Sequence, residues 1–245
     1  MHKISDKEIM EFIHVSFGYS EGKIILDDVC FRLLEGKTYA LVGPTGGGKS
    51  TTAGLMARLF DPVSGTVKFK NKDIRSFDAD KLTDSIGFIL QEPFLFTGTV
   101  GENLRYGNDK LVNQTDEILS IELSSLGFDK LINIFEKGLS TEVNDSSENI
   151  SLGQKQIISF MRTLLRKPEF LILDEATANI DTVTEQLLNE IISKLPDQTT
   201  KVIIAHRLNT IKDADEILFI NGGKVKAAVD FDDAIYMIEN GGRVS

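Results

Sequence analysis

The run Gly43-Pro44-Thr45-Gly46-Gly47-Gly48-Lys49-Ser50-Thr51 constrains this chain more than any other stretch. It follows Tyr39-Ala40-Leu41-Val42, an apolar run that reads as a short buried strand. It precedes Thr52 to Phe60, where apolar residues at 53, 56, 59 and 60 have the spacing of one helix face. A strand, then G-x-x-x-x-G-K-S, then a helix is the arrangement of a phosphate-binding loop. Glycines let successive backbone N–H groups curl around phosphates with no Cβ in the way. The helix N-terminus turns its unsatisfied donors and positive dipole end toward the same anion. Lys49 supplies a point charge for β- and γ-phosphates, and Ser50 a hydroxyl for Mg²⁺. Such a loop calls for a nucleotide triphosphate.

A second constellation, Phe170-Leu171-Ile172-Leu173-Asp174-Glu175, sets two carboxylates directly after four apolar residues. The pattern predicts a central strand with Asp174 and Glu175 at its carboxyl end, the edge at which open α/β sheets bind ligands. There Asp174 is suited to hold Mg²⁺, directly or through water. Glu175, one residue on, is suited to polarise a water beside the terminal phosphate.

The rest of the chain fits an alternating pattern. Strand signals run over Ile9 to Tyr19, Ile25 to Leu34, Thr66 to Lys70 and Ser85 to Leu90, and return at Phe170–Leu173, Val202–Ala205 and Ile217–Ile220. Between Thr99 and Arg166 the pattern is helical, clearest at 153–166, where Ile157, Ile158, Met161, Leu164 and Leu165 share a face. Lys167-Pro168 stops that helix. Strands alternating with helices predict an α/β fold around a mostly parallel, buried sheet with the helical block inserted into it. A net charge of −10 argues against a nucleic-acid surface, which needs a basic stripe. The single cysteine, Cys30, excludes an internal disulfide and a thiolate-built zinc cluster. Its setting, Val29-Cys30-Phe31, reads as a small buried hydrophobe, and His2 and His14 read as structural residues. No apolar run reaches the roughly 18–20 residues that span a bilayer.

With these residues in view, the chain resembles the nucleotide-binding domain of an ATP-binding-cassette (ABC) transporter over nearly its whole length, from about Ile9 to Ser245. Seven motifs fall in the family's order. Tyr19 resembles the aromatic residue that stacks on adenine, and Gly43 to Thr51 the Walker A loop. Gln91 resembles the glutamine that reaches Mg²⁺ and water. Asn149-Ile150-Ser151-Leu152-Gly153-Gln154 stands where the family carries its L-S-G-G-Q signature. Leu171 to Glu175 resembles Walker B with its catalytic glutamate. Ala178 to Asp181 resembles the D-loop, and His206 the switch histidine.

The resemblance implies a P-loop NTPase core. An N-terminal antiparallel β subdomain and the core take about 1–91 and 167–245, and a helical subdomain about 95–166. It implies ATP and Mg²⁺ as ligands, with Glu175, His206, Gln91 and Lys49 catalytic and Ser50, Gln91 and Asp174 at the metal. It also implies a second such domain, docked head to tail, whose ATP is closed over by Ser151, Leu152, Gly153, Gln154 and Asp181.

The residue chemistry agrees without the family name. Tyr19 offers a flat face. Gln91 ends an apolar strand as a neutral donor and acceptor, and His206 follows Val202-Ile203-Ile204-Ala205, where an imidazole can donate to a phosphate oxygen. Ser151 opens an amphipathic helix that its hydroxyl can cap.

Glu92 to Leu104 resembles the exporter branch, in which this segment meets transmembrane domains, and Thr141 to Asp145 resembles the exporter loop T-E-V-G-E, with Glu142 as a transmission contact. Asn144 and Asp145 depart from it. Exporter-type domains follow a membrane domain on one chain, so the sequence is expected to be a segment of a longer exporter at the cytoplasmic face of a membrane. The departure with most consequence is Leu152, where the family carries glycine close to the partner's γ-phosphate. Losing one charge-assisted hydrogen bond there would cost roughly 1.5–3 kcal/mol. This points to a non-identical partner domain. Against the transport motor stand a regulatory module that binds ATP without hydrolysing it, a DNA-repair ATPase and a small-molecule kinase. Glu175 and His206 oppose the first. The acidic, compact chain opposes the second, and no acceptor-substrate site appears for the third.

Overall fold

The structure, a computed structural model, describes residues 7–20, 22–90, 92–144, 150–174, 181–204 and 211–240. In chain order the elements are β1 (Glu8–Phe17), β2 (Leu26–Leu34), β3 (Thr38–Val42), α1 (Lys49–Met56), β4 (Ser64–Phe69), β5 (Lys72–Asp73), α2 (Ala79–Ser85) and β6 (Ile86–Ile89). They continue with β7 (Gly98–Thr99), α3 (Val100–Arg105), α4 (Asp116–Ser125), α5 (Asp129–Ile132), β8 (Glu142–Val143), α6 (Leu152–Leu164) and β9 (Phe170–Asp174). The last are α7 (Thr182–Ser193), β10 (Thr200–Ile204), β11 (Glu216–Asn221), β12 (Lys224–Ala227) and α8 (Phe231–Glu239). The chain divides into two compact units, one of Met1–Phe88, Glu169–Glu175 and Asp197–Ser245, the other of Ile89–Pro168 and Ala176–Pro196.

The first unit holds two sheets. One, in the order β2-β1-β4-β5, is antiparallel, and the other runs β12-β11-β3-β10-β9-β6. In the second, β3 is parallel to both β10 and β11, β10 is parallel to β9, and β12 is an antiparallel edge. Strands buried on both faces must be apolar throughout, and Tyr39–Val42 and Phe170–Leu173 are. The core joins Phe12, Val15, Leu33 and Phe69 of the antiparallel sheet to Leu41, Ile172, Val202 and Ile220 of the parallel one. This is the α/β architecture expected from the alternating pattern, with the mostly parallel core sheet and the antiparallel β sheet that the resemblance implies.

Two expectations fail for backbone reasons. The helix after the phosphate loop ends at Met56 and does not run on to Phe60. Arg58 adopts φ 53°, and Leu59 N–H donates back to the Gly54 carbonyl at 2.8 Å, a left-handed helix stop that folds Phe60 against Gly54. Cys30 is exposed, not buried. An extra residue in β2 at Asp27-Asp28, where Asp28 has φ 53°, shifts the alternation so that Leu26, Val29 and Leu33 face inward and Cys30 outward.

The second unit is built on α3, α4, α5, α6 and α7, with the short β7–β8 pair. Asn103, 1% exposed, donates to the carbonyls of Phe96 and Thr99 and accepts from Phe96 N–H, so a polar core residue shapes the loop entering α3. The apolar face expected for 153–166 is buried at Ile157, Ile158, Met161, Leu164 and Leu165. Among the described residues, no helix is long and apolar enough to cross a membrane.

Candidate functional site

The phosphate loop leaves the sheet at Val42 and is shaped by glycines with two different tasks. A Cβ on Gly43, at φ 138°, would stand 2.0 Å from the Ile220 carbonyl oxygen of β11, and one on Gly47 would stand 2.7 Å from the same atom. These two let the loop press against the neighbouring strand. Gly46, at φ 76°, has no atom within 4 Å of its missing Cβ, so that side of the loop is open. Gly48 caps α1 at φ 111°, a conformation that suits glycine. Pro44, Thr45 and Gly46 are exposed.

Lys49 is 5% exposed, and its ammonium donates to the carbonyls of Gly43 at 2.9 Å and Pro44 at 3.0 Å. The cation is thereby held at the loop and not in bulk water. Ser50 is exposed beside it, while Thr51 is buried. No acidic side chain occupies the first turn of α1 to repel an anion. The Thr51 hydroxyl lies 3.0 Å from that of Tyr19, whose ring meets Phe17 and Phe60 edge-on at 5.1 and 5.2 Å between centroids. Tyr19 itself is 59% exposed, so ring surface remains for a ligand.

Asp174 ends β9, half-buried, in register with Ile204 of β10, which is in register with Leu41 of β3. Two strand spacings therefore separate the Asp174 and Leu41 backbones, roughly 10 Å. The register sets a carboxylate and the phosphate loop along one edge of one sheet. The glycine-rich loop, the ammonium and the uncharged helix start fit a polyphosphate, and the oxygens of Ser50 and Asp174 are the hard donors that Mg²⁺ takes. Gln91, Glu175 and His206 lie outside the described residues, as do Asn149 and Ala178 to Ile180.

In the second unit, Ser151 caps α6 with a reciprocal pair of bonds: its hydroxyl accepts from Gln154 N–H at 3.1 Å, and Gln154 Oε1 accepts from Ser151 N–H at 2.9 Å. Leu152 follows at the first helical position, 46% exposed, with Gly153 half-buried behind it. Asp181 caps α7, accepting from Val183 and Thr184 N–H at 3.1 Å each. The Thr184 side chain first, then these amides, hold its carboxyl below the usual range. α7 carries its own sequence signal, a capped helical pattern of Asp181 followed by Val183, Leu187, Leu188 and Ile191. Glu142, in β8, is exposed.

The family profile described as "ABC transporter" matches residues 26–178. The chain is 41% identical over 216 residues to the uncharacterized ABC transporter ATP-binding protein YfiC of Bacillus subtilis, covering 88% of this chain and 35% of that protein. It is 39% identical over 216 residues to the fatty acid ABC transporter ATP-binding/permease protein of Mycobacterium bovis, covering 88% and 34%. Among solved structures, a bacterial Atm1-family ABC exporter with ATP bound superimposes with a TM-score of 0.80 at 32% identity, covering 91% of this chain and 39% of that one. The chain thus spans about a third of the length of the curated relatives it matches. A phosphate loop and a Walker B carboxylate on one sheet edge, together with this kinship, make the assignment: the chain belongs to the ABC transporter family, as its ATP-binding, ATP-hydrolysing domain.

Proposed function

We propose that this domain powers export by transmembrane domains, closing on ATP together with a second ABC domain and reopening on hydrolysis. The observation that carries the proposal is the shared sheet edge, where register brings the Lys49 loop and Asp174 to the same end of β3 and β9. In this reading Gly43 to Thr51 wrap the triphosphate, Tyr19 stacks on adenine, and Lys49 balances the β- and γ-phosphate charge. Ser50, Asp174 and Gln91 would hold Mg²⁺, which supplies charge neutralisation at the transferring phosphate. Glu175 takes the proton of the attacking water, and His206 donates to the γ-phosphate. Residues of about 95–166 act as the helical subdomain, with Glu142 and the loop shaped by Asn103 as transmission contacts.

Named relatives support the exporter branch: one is called a fatty acid transporter, another a β-(1→2)glucan exporter and another a probable multidrug resistance transporter. The operating site of such a domain is the cytoplasmic face of the membrane.

We further propose a non-identical partner. An exposed isobutyl group at the first position of α6 stands where backbone N–H groups would need to approach the partner's phosphate. The site that Leu152 covers is then the weaker of two. The partner's intact signature closes over this chain's own Lys49, Glu175 and His206. The test is phosphate release by the unaltered domain and by Glu175→Gln, each with the partner domain present. Loss of turnover with retained ATP binding supports the motor. Equal, negligible turnover in both would replace it with a regulatory module.

A further inference from the structure

Two consecutive irregularities in the β1–β2 pairing put three unlike metal-ligand atoms on one face of the antiparallel sheet. Between the pairs Phe12↔Phe31 and Val15↔Val29, β1 advances three residues while β2 advances two, and between Val15↔Val29 and Phe17↔Leu26 the surplus residue passes to β2. Each bulge contains a non-glycine residue in the left-handed region, His14 at φ 47° and Asp28 at φ 53°. Bulges re-aim side chains. Here the first turns His14 toward β2, while Asp28 and Cys30, two apart on their strand, share a face. The site is held from the other side as well: Gly65 lies so close to the His14 carbonyl that a Cβ there would stand 2.1 Å from its oxygen.

The outcome is a nitrogen, an oxygen and a sulfur, all within 4.8 Å of one another. His14 Nδ1 is 2.7 Å from Asp28 Oδ1. Cys30 Sγ accepts a hydrogen bond from His14 N–H at 3.1 Å, and Asp28 N–H donates to the Ser16 hydroxyl at 3.0 Å. The first bond holds the Cys30 sulfur in place, and the second holds the Asp28 backbone within its bulge. Tetrahedral zinc takes His nitrogen and carboxylate oxygen at about 2.0–2.2 Å and thiolate at about 2.3 Å, which places donors roughly 3.3–3.6 Å apart. All three residues are exposed, with side-chain exposures of 72% for His14 and 62% for Asp28, so shifts of about an ångström need only rotamer adjustment.

We propose that His14, Asp28 and Cys30 form a three-ligand site for a borderline divalent ion of the zinc class, open to water at its fourth position. A mixed N, O and S set selects such ions over Mg²⁺ and Ca²⁺, which take oxygen alone. The site lies in the antiparallel sheet and is separate in composition from the phosphate loop.

Because Cys30 is the chain's one cysteine, its thiol reports the site directly. The nucleotide-free protein is alkylated at Cys30 with and without stoichiometric Zn²⁺, and Co²⁺ spectra are recorded in parallel. Zn²⁺ should slow alkylation about tenfold or more, with Mg²⁺ inert. Co²⁺ should give a sulfur-to-metal charge-transfer band together with the visible bands of four-coordination. His14→Ala and Asp28→Asn should each weaken Zn²⁺ binding by about tenfold or more, at least what loss of an outer-shell partner costs. Cys30→Ser should abolish the charge-transfer band, with circular dichroism showing an unchanged fold. Equal alkylation rates with and without Zn²⁺, protection that survives in His14→Ala, or Co²⁺ binding without the charge-transfer band would each overturn the site.

Discussion

The Tyr19 and Thr51 hydroxyls meet at 3.0 Å, tying the segment after β1 to the helix that follows the phosphate loop. One residue therefore bears on both the fold of the loop and the proposed adenine contact, and two substitutions separate these roles. Tyr19→Phe keeps the ring and removes the hydroxyl, so binding of a fluorescent ATP analogue should change less than about threefold. Tyr19→Ala removes the ring surface, worth about 0.5–1.5 kcal/mol, and should weaken binding roughly three- to tenfold. Equal effects of the two would mean that the ring does not touch the nucleotide.

The glycines of the loop are separable in the same manner. Gly43→Ala forces a Cβ onto the Ile220 carbonyl and should destabilise the domain by about 3 kcal/mol or more in urea unfolding. Gly46→Ala meets nothing and costs only the left-handed strain, about 1 kcal/mol, yet adds a methyl group to the open side of the loop proposed to bind the phosphates. Stability nearly kept and nucleotide binding lost is the expected pattern for Gly46→Ala.

Alkaline pH should expose the buried phenol of Tyr39. Burial, with Glu216 and Asp215 adding to it, pushes its pKa up to about 12, against the lesser pull of the Leu34 N–H bond at 2.7 Å. In the unfolded chain a tyrosine ionises near pH 10. The fold's advantage in keeping Tyr39 neutral is thus whole below pH about 10 and declines as pH rises toward 12, by on the order of 2 kcal/mol. Tyr39→Phe should be less stable at pH 7 by about 1–3 kcal/mol, because Leu34 N–H loses its acceptor, and should show a shallower decline between pH 10 and 12. Denaturant melts across this range check both parts.

Leu152→Gly restores the backbone freedom that the family's signature provides. Paired with its partner domain, the variant should raise ATP turnover at the site it covers about tenfold, matching one recovered charge-assisted bond. As a homodimer, the unaltered chain should show little cooperativity. Robust cooperative turnover by that homodimer would remove the case for an unequal pair.

The sequence made the site's framework legible because its strongest signals are local. Four apolar residues before Asp174, and four before Gly43, announce buried strands whose ends carry the chemistry. Register was not legible. Whether Leu41, Ile204 and Asp174 stand in one row depends on two pairings, one across 163 positions and one across 30. The pair of bulges in β1 and β2 was hidden for a different reason. The three-residue step from Leu26 to Val29 breaks the alternation, but Val29-Cys30-Phe31 taken alone sets Cys30 among apolar neighbours, and only the pairing with β1 shows that it faces outward. A glycine run reads as a cradle throughout, whereas Gly43 and Gly47 serve packing against β11 and Gly46 faces open space.

The place of β3 has a consequence for how the protein is made. Its neighbours on both sides, β10 and β11, are encoded more than 150 residues later, and the carbonyl that Gly43 and Gly47 rest on belongs to Ile220. A nascent chain emerging from the ribosome carries its ATP loop long before it carries the strands that brace it. Cotranslational folding can settle the β1–β2 hairpin early, but the parallel sheet must wait until β11 and its Ile220 have been synthesised.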